Sequence, residues 1–275
     1  MLTADDVARF QFSGHTLRFI KTAVKKIGVP LQSARILDYG CGRGMTVAKL
    51  REQGLEVYGA DIDPQYIANG RPLLAERDSD PNDVLRVIDN HGSTGFPDGF
   101  FDIVISNQVL EHVEDLDIVA AELRRVMAPG AVALHVFPSK WRLIETHLFM
   151  PAVHWLPKSQ WRKTAISLCL AIGVGPRWKE LEGLSRNEVA EVLYRYSVGQ
   201  TFYRRVRAIR NTFGSVGFDV RWLTPGRVGV LPFMNMPFVG NLLRFGLRHF
   251  WNVGVVLTRT EIAASVTESE QVCVV

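Results

Sequence analysis

The stretch Ile36-Leu37-Asp38-Tyr39-Gly40-Cys41-Gly42-Arg43-Gly44 limits what this chain can become more than any other. A hydrophobic run enters three glycines at alternate positions and then a helical pattern starts at Met45. Glycine lets the backbone turn tightly and approach a ligand with no Cβ in the way, as in the loops that join a buried strand to a helix in α/β folds. The helix start beyond the loop offers free N–H groups and a positive dipole end, which suit a carboxylate or phosphate. The spacing is GxGxG, so the pyrophosphate loop of a nicotinamide dehydrogenase, GxGxxG, is not supplied.

The surrounding pattern predicts where that loop sits. A helix over Thr16 to Ile27 precedes a strand at Arg35–Tyr39, and then come a helix from Met45 to Gln53, a strand from Glu56 to Asp61 and a helix after Pro64. Strands follow at Val84 to Asp89 and Phe101 to Ser106, with a helix carrying Leu116, Val119, Ala120, Leu123, Val126 and Met127 on one face. That helix stops at Pro129-Gly130, ahead of a strand from Ala131 to Phe137. Alternating strands and helices predict a doubly wound parallel sheet. From Ser139 to about Gln200 the rhythm breaks into a stretch rich in Trp, His, Pro and basic residues, far longer than the usual connection of about 2–6 residues, and reads as a helical insert or lid. Beyond it a helix from Thr201 is expected, with Phe202, Val206, Ile209 and Phe213 on one face and Arg204, Arg205, Arg207 and Arg210 on the rest. Gly217 ends it, Phe218 to Leu223 is the next strand, and an apolar segment from Val228 to Trp251 leads to a last strand at Val255 to Thr258. The expected division is 1–138 for the cofactor-binding half, 139–200 for the insert, 201–261 for the rest of the same domain and 262–275 for a frayed tail.

Composition narrows the class. Among 275 residues, 47% hydrophobic and 22% charged, the balance excludes a disordered chain, and 23 Gly and 13 Pro without a triplet period exclude a collagen-like one. Cys41, Cys169 and Cys273 lie in no zinc or disulfide spacing, and Met1 to Phe10 carries two aspartates and no long apolar core. These features predict a cytoplasmic protein, with a peripheral place at the inner membrane surface as a further expectation. No stretch makes a convincing membrane span. A net charge of +4 and a pI near 9.0 bias the surface toward anionic partners, or simply reflect a solvated basic face.

About 20 residues beyond the glycines, Tyr58-Gly-Ala-Asp61 ends a strand in an acid able to accept both hydroxyls of a ribose. With Asp89-Asn90 after the third strand and Phe101-Asp-Ile-Val-Ile-Ser-Asn-Gln-Val-Leu-Glu-His112 at the fourth, the set resembles the class I S-adenosylmethionine-dependent methyltransferases, in particular the small-molecule group called type 11. The resemblance covers Ala34 to Phe137 well and Thr201 to Thr258 loosely. It implies a Rossmann-like, mostly parallel seven-stranded sheet with the insert after the fifth strand. S-adenosyl-L-methionine is then the cofactor and S-adenosyl-L-homocysteine the product. By the resemblance, Gly40, Cys41, Gly42 and Gly44 hold the methionine part and Asp38 acts on the amino group through that loop or a water. Asp61 binds the ribose, Ile62 packs on adenine, Asp89 reaches the adenine amino group beside Asn90, and Asn107 sits near the methionine end. The alternative for Asp38 and Asp61 is that they cap helices or turns.

The methyl arrives on an activated sulfonium, so the protein must align a nucleophile and, for a hydroxyl, remove its proton. His112, His135, His147 and His154 are the candidate bases. Leu110-Glu111-His112-Val113 resembles a family segment that holds metal in the ubiquinone-pathway O-methyltransferases, where a neighbouring acid completes the site. Gln108 occupies that acid's place, and a neutral amide weakens a hard-cation site, so no metal is expected. The insert, with Glu145-Thr-His147 and His154-Trp-Leu-Pro157, resembles a segment of a type 11 subset. Glu145 and His147 are therefore expected to face the acceptor, or else to cap a helix beneath an aromatic lid.

The expected acceptor is a small, lipid-linked or saccharide molecule methylated on oxygen. Trp155, Lys158, Trp161 and Trp178 of the insert, together with the apolar segment from Phe233 to Trp251, suggest contact with a membrane surface. Nucleic-acid methylation draws only on the basic pI and the arginines from Arg204 to Arg210. Ser106-Asn-Gln-Val lacks the Asp/Asn-Pro-Pro-Tyr/Phe of enzymes that methylate exocyclic base amines, and no Pro-Cys pair is present. An inactive cofactor-binding module with an interaction lid is the third reading.

Overall fold

A computed structural model describes residues 14–74, 80–223 and 252–260. Strands Arg35–Tyr39 (β1), Glu56–Asp61 (β2), Leu85–Val87 (β3), Phe101–Asn107 (β4), Met127–Pro138 (β5), Phe218–Leu223 (β6) and Asn252–Arg259 (β7) form one sheet in the order β3-β2-β1-β4-β5-β7-β6. The pairs among β1 to β5 are parallel, and β7 runs against both β5 and β6. This is the expected doubly wound, mostly parallel seven-stranded sheet. Helices Gly14–Ile27 (α1), Met45–Arg51 (α2), Pro64–Gly70 (α3), Leu116–Val126 (α4), Gln160–Ala171 (α5), Arg186–Gly199 (α6) and Val206–Ser215 (α7) accompany it.

β1 and β4 are buried almost without interruption because both faces of the sheet are covered. Successive side chains point to opposite faces: Ile36 and Ile103 pack with Ile20 of α1 and Leu50 of α2, whereas Leu37 and Val104 pack with Leu123 of α4 and Phe213 of α7. From β1 the chain builds outward through β2 to β3, and from β4 it builds the other way to β5. The carboxyl ends of β1 and β4 therefore flank the point where strand order reverses, the place open α/β sheets reserve for ligands.

Three local expectations are corrected. The strand expected from Val84 to Asp89 is a helical turn at Pro81–Val84 followed by the three-residue β3, because Asp80 accepts the Asn82 N–H at 2.9 Å and Pro81 stands at the first helical position. Pro129-Gly130 does not separate α4 from β5. β5 starts at Met127 opposite Phe101, and the Pro-Gly pair is absorbed in a bulge before Val132 meets Ile103. The helix expected from Thr201 begins at Val206, since tertiary bonds hold the preceding residues extended. Phe202 donates its N–H to the Glu111 carbonyl at 2.6 Å, and the Arg204 guanidinium donates to the carbonyls of Leu110, Phe202 and Glu114. Arg204 and Arg205 thus lie outside that helix.

The insert leaves the sheet where β5 ends at Pro138 and carries helices α5 and α6. α5 packs on α6, and Leu148, Met150, Val153, Ile166, Ala190 and Leu193 form a core of their own. Ser185 and Glu188 form a capping box at the start of α6. Arg162, buried on α5, donates to the carbonyls of His154, Leu156 and Ser197 and so ties the segment before α5 to the end of α6. Among the described residues no helix is long and apolar enough to cross a membrane. The apolar segment Val228–Trp251 and the tail lie outside the described residues.

Candidate active site

Gly40, Gly42 and Gly44 take φ values of +78°, +54° and +72°, a left-handed backbone that only glycine adopts without strain. A Cβ on Gly40 would stand 2.3 Å from Val109 Cγ2, so the loop is pressed against the segment joining β4 to α4. At Gly42 an added Cβ would meet nothing within 4 Å, so that side of the loop faces open space. Gly40 and Cys41 both donate their N–H to the Ala60 carbonyl at the end of β2. The Cys41 thiol is pushed well above its ordinary range, chiefly by burial, and is not a ready nucleophile.

Asp61 accepts the Gly42 N–H at 2.7 Å on one oxygen and the Asp63 N–H at 3.0 Å on the other. The turn-capping role is therefore real, yet each carboxylate oxygen has a second lone pair to offer a ligand. Asp63 caps α3 by accepting from Gln65 and Tyr66. Asp38 is buried at the carboxyl end of β1, and burial, with the nearby Asp61 charge, pushes its carboxyl up to about 7. Ile62 is 73% exposed, a free apolar face beside the loop. Asn107 ends β4 and is exposed, and Gln108 follows in a left-handed conformation, φ +58°. Asp89 and Asn90 are not at a strand end: β3 stops at Val87, and Asp89 accepts the N–H groups of Ser93 and His91, which hold its carboxyl below the usual range. Both are exposed on that turn.

Where the insert meets the segment after β4, the structure brings Glu145, His147 and His112 within hydrogen-bond reach of one another. Glu145 is buried and accepts the backbone N–H of His147 at 2.7 Å, that of Leu148, the His147 ring Nδ1–H at 2.9 Å and the Tyr203 hydroxyl. Burial acts to raise this carboxyl, but the hydrogen bonds from His147, Tyr203 and Leu148 outweigh it and hold the group below its ordinary value. The tight turn that presents His147 is closed by Glu145 N–H to Met150 carbonyl at 2.9 Å and Phe149 N–H to Glu145 carbonyl at 3.0 Å. Across from it, His112 follows β4 by a turn in which its N–H reaches the Val109 carbonyl. Its Nδ1 lies 2.7 Å from the Gln200 carbonyl, and its Nε2 lies 3.2 Å from His147 Nε2. Burial lowers the His112 pKa, so the ring tends to be neutral.

Glu111, beside His112, is buried, and burial pushes its carboxyl up to about 7. Among the described residues, Glu111, His112 and His147 form a group whose potential ligand atoms lie within 4.8 Å of one another.

Two other candidate bases fall away. His135 lies inside β5 with its Nδ1 on Ser106 Oγ at 2.9 Å and its ring stacked on Phe213, and burial pushes its pKa down to about 3. It is a core residue of the strand. His154 is buried against the Tyr203 and Trp155 rings, with its pKa pushed down to about 4, again by burial. Tyr203 went unnoticed in the sequence. Its only signal was a tyrosine just past the insert, and nothing in the local pattern told that the residue is extended rather than helical.

Comparison with known proteins bears on the domain and its fold. Residues 37–134 match the family model described as Methyltransferase domain. A 2-methyl-6-phytyl-1,4-hydroquinone methyltransferase from Synechocystis sp. is 28% identical over 155 residues, covering 55% of this chain and 44% of that protein. A ubiquinone biosynthesis O-methyltransferase from Mesorhizobium japonicum is 30% identical over 110 residues, 38% of this chain and 40% of that protein. The matched stretch thus spans less than half the length of these curated relatives. In fold, the crystal structure of an S-adenosylmethionine dependent methyltransferase from Mesorhizobium loti superposes with a TM-score of 0.50 at 17% identity, over 88% of this chain and 96% of that one. Residues 37–134 are thus a methyltransferase domain, similar to those of the type 11 group of the class I S-adenosylmethionine-dependent methyltransferases.

Proposed function

We propose that this protein transfers a methyl group from S-adenosylmethionine to a hydroxyl oxygen of a small, partly apolar acceptor. The observation that carries the reading is a junction: Val109 packs under the Gly40 loop, and three residues later His112 meets His147, which Glu145 holds from the insert. Cofactor elements and a buried carboxylate–imidazole relay thereby share one sheet edge.

The residues present fit the cofactor. A cradle open at Gly42, the exposed face of Ile62 and the carboxylates of Asp61 and Asp38 offer contacts for a methionine tail, an adenine ring, a ribose and an amino group in turn. A cation beside Asp38 would return that carboxyl to its charged form. When bound, S-adenosylmethionine supplies a methyl on an already activated sulfonium. The protein then aligns the acceptor and relieves it of a proton, which leaves through the His112–His147 pair. Glu145 fixes His147 with its proton on Nδ1, so the Nε2 lone pair, 3.2 Å from His112 Nε2, is left to take up a proton.

A relative named for O-methylation in ubiquinone biosynthesis and one named for a phytyl hydroquinone support a hydroxylated acceptor with an apolar part. The insert serves as its cap in this reading. Trp161 and Leu168 of α5 and Ile172 just past its end are exposed apolar residues, which supports contact with a lipid surface from which such an acceptor could be drawn. Arg204 binds carbonyls of the chain itself, which removes one cation from the face a nucleic acid would need.

The test is methyl transfer to a panel of hydroxylated quinols and phenols by wild type, His147→Gln and Glu145→Gln. The expected result is transfer by wild type and a loss of about 100-fold or more in kcat for both variants, with S-adenosylmethionine affinity kept within about 2-fold. Unchanged kcat in both variants would contradict the assignment.

A further inference from the structure

Glu145 is 2% exposed, and both oxygens of its carboxylate are fully used. Oε2 accepts the backbone N–H of His147 at 2.7 Å and that of Leu148, while Oε1 accepts the His147 Nδ1–H at 2.9 Å and the Tyr203 hydroxyl. A carboxylate has room for about four such donors, so this one is saturated. Three of the donors belong to the turn that Glu145 opens, whereas the fourth arrives from 58 residues further along the chain. The turn is closed by its own backbone, through Glu145 N–H to the Met150 carbonyl and Phe149 N–H to the Glu145 carbonyl, so Tyr203 is not what shapes it.

Tyr203 is placed for this bond by its neighbours. The Gln200 carbonyl lies 2.7 Å from His112 Nδ1, the Phe202 N–H reaches the Glu111 carbonyl at 2.6 Å, and Arg204 reaches the carbonyls of Leu110 and Glu114. One short segment therefore holds the loop of His112 on one side and, through the Tyr203 hydroxyl, the Glu145–His147 turn on the other. The Tyr203 ring packs on His154 with centroids 4.8 Å apart. Burial and the Glu145 charge push the Tyr203 hydroxyl well above its ordinary range, so it stays protonated and donates.

The Tyr203 oxygen also lies 3.3 Å from His147 Nδ1, which closes a triangle of hydroxyl, carboxylate and imidazole. A phenol has one proton, and here it goes to Oε1. His147 Nδ1 then faces two acceptors and must carry the proton of the neutral ring, because the opposite tautomer would set a lone pair against a carboxylate. The sharing of Oε1 has an electrostatic consequence as well. An oxygen that serves two donors holds the Nδ1–H, and the positive charge that His147 takes on with a second proton, less tightly than an unshared one.

We propose that Tyr203 is a positioning residue for methyl transfer: through Glu145 Oε1 it locks His147 in the Nδ1–H tautomer and keeps that ring from holding the acceptor's proton too tightly. The inference rests on the relay proposed above, since His147 has to take and release that proton in each turnover. The groups that face His147 are Glu145, Tyr203, His112, Glu111 and the Tyr196 ring, and of these Tyr203 is the one that donates to Oε1.

The experiment uses the full chain in two altered forms. Tyr203→Phe removes the hydroxyl, and replacement of Tyr203 by a ring-difluorinated tyrosine keeps ring and hydroxyl while making a stronger donor. The readout that needs no turnover is the NMR resonance of the His147 Nδ1 proton, assigned against His147→Gln. Tyr203→Phe should move it downfield, as an unshared Oε1 pulls harder on that proton, and the fluorinated form should move it upfield. In methyl transfer to hydroxylated quinols and phenols, the acid limb of the pH–kcat profile should rise by about 0.5–1 unit in Tyr203→Phe and fall in the fluorinated form, with S-adenosylmethionine affinity kept within about 2-fold.

Resonances that stay in place, or that move the same way in both forms as lost packing would make them, overturn the inference. Wild-type transfer with a pH profile unmoved in both forms also overturns it and leaves the proposed activity standing. Opposite shifts of the resonance without methyl transfer to any acceptor uphold the link from Tyr203 to His147 and count against the activity. If circular dichroism shows Tyr203→Phe to be unfolded, the fluorinated form decides alone, an upfield shift supporting the inference and an unmoved resonance overturning it.

Discussion

Asp38 shows how one side chain couples folding to ligand binding. Its carboxyl is buried at the end of β1 and raised to about 7 by burial and by Asp61, so the folded protein disfavours its charge. A raised acid contributes stability that is fully present below its unfolded value of 3.8 and is lost as pH climbs through about 7. The cofactor-free protein should therefore lose up to roughly 4 kcal/mol of stability between about pH 4 and pH 8 from this group. Glu111, raised to about 7 by its own burial, adds a loss of the same sign in the same window. Asp38→Asn should flatten part of that slope in urea melts across pH, and it should weaken S-adenosylmethionine about 10-fold or more. A slope unaltered by the substitution would contradict the assignment. Gly40 gives a second residue-scale prediction. Its φ of +78° and a Cβ only 2.3 Å from Val109 Cγ2 mean that Gly40→Ala should cost about 1–3 kcal/mol and displace the loop, read as a lower melting temperature with lost cofactor affinity.

At the scale of elements, the insert depends on one buried cation. Arg162 lies on α5 with its guanidinium shared among the carbonyls of His154, Leu156 and Ser197. Removing it strands those acceptors, so Arg162→Met should destabilise the insert by about 3 kcal/mol and expose α5–α6 to limited proteolysis before the sheet unfolds. Arg162→Lys should not restore it, because one ammonium cannot reproduce the planar fork. If both variants resist protease as wild type does, the insert is held by its apolar core alone. The elements of the sheet were legible because their signals are local: an apolar run of Ile36-Leu37, the glycines after it, and helical spacing from Leu116 to Val126. Elements whose boundaries are set by distant partners were not. Phe202 and Arg204 belong to one helical pattern on paper, yet the Glu111, Leu110 and Glu114 carbonyls draw them out of the helix. Pro129-Gly130 reads as a stop, and only pairing with Phe101 across the sheet makes it a bulge.

For the molecule as a whole, the same division between local and distant governs the site. The glycine loop and Asp61 could be named from the sequence because a strand, a turn and the next strand lie close along the chain. The Glu145–His147 pair was legible from its two-residue spacing. That His147 meets His112, 35 residues earlier, and that Tyr203 closes on Glu145 from 58 residues later, depends on how the insert folds back over β4. Asp89 stands in a turn, not at a strand end, because the N–H groups of His91 and Ser93 capture its carboxylate. The architecture puts the glycine loop after β1 and the His112–His147 contact after β4, on neighbouring strands, and leaves Trp161, Leu168 and Ile172 exposed on the insert. That combination is the basis for assigning a small amphipathic acceptor over a nucleic acid.

The most direct measurement of that claim is transfer of radiolabelled methyl from S-adenosylmethionine into an extract of the source cells, followed by partition into organic, small aqueous, protein and nucleic-acid fractions. Asp61→Ala, which removes the acceptor of the Gly42 and Asp63 N–H groups, serves as the blank. The account predicts label in the organic or small aqueous fraction with wild type and none above background with Asp61→Ala. Label in the nucleic-acid fraction, or equal label with both proteins, would contradict it.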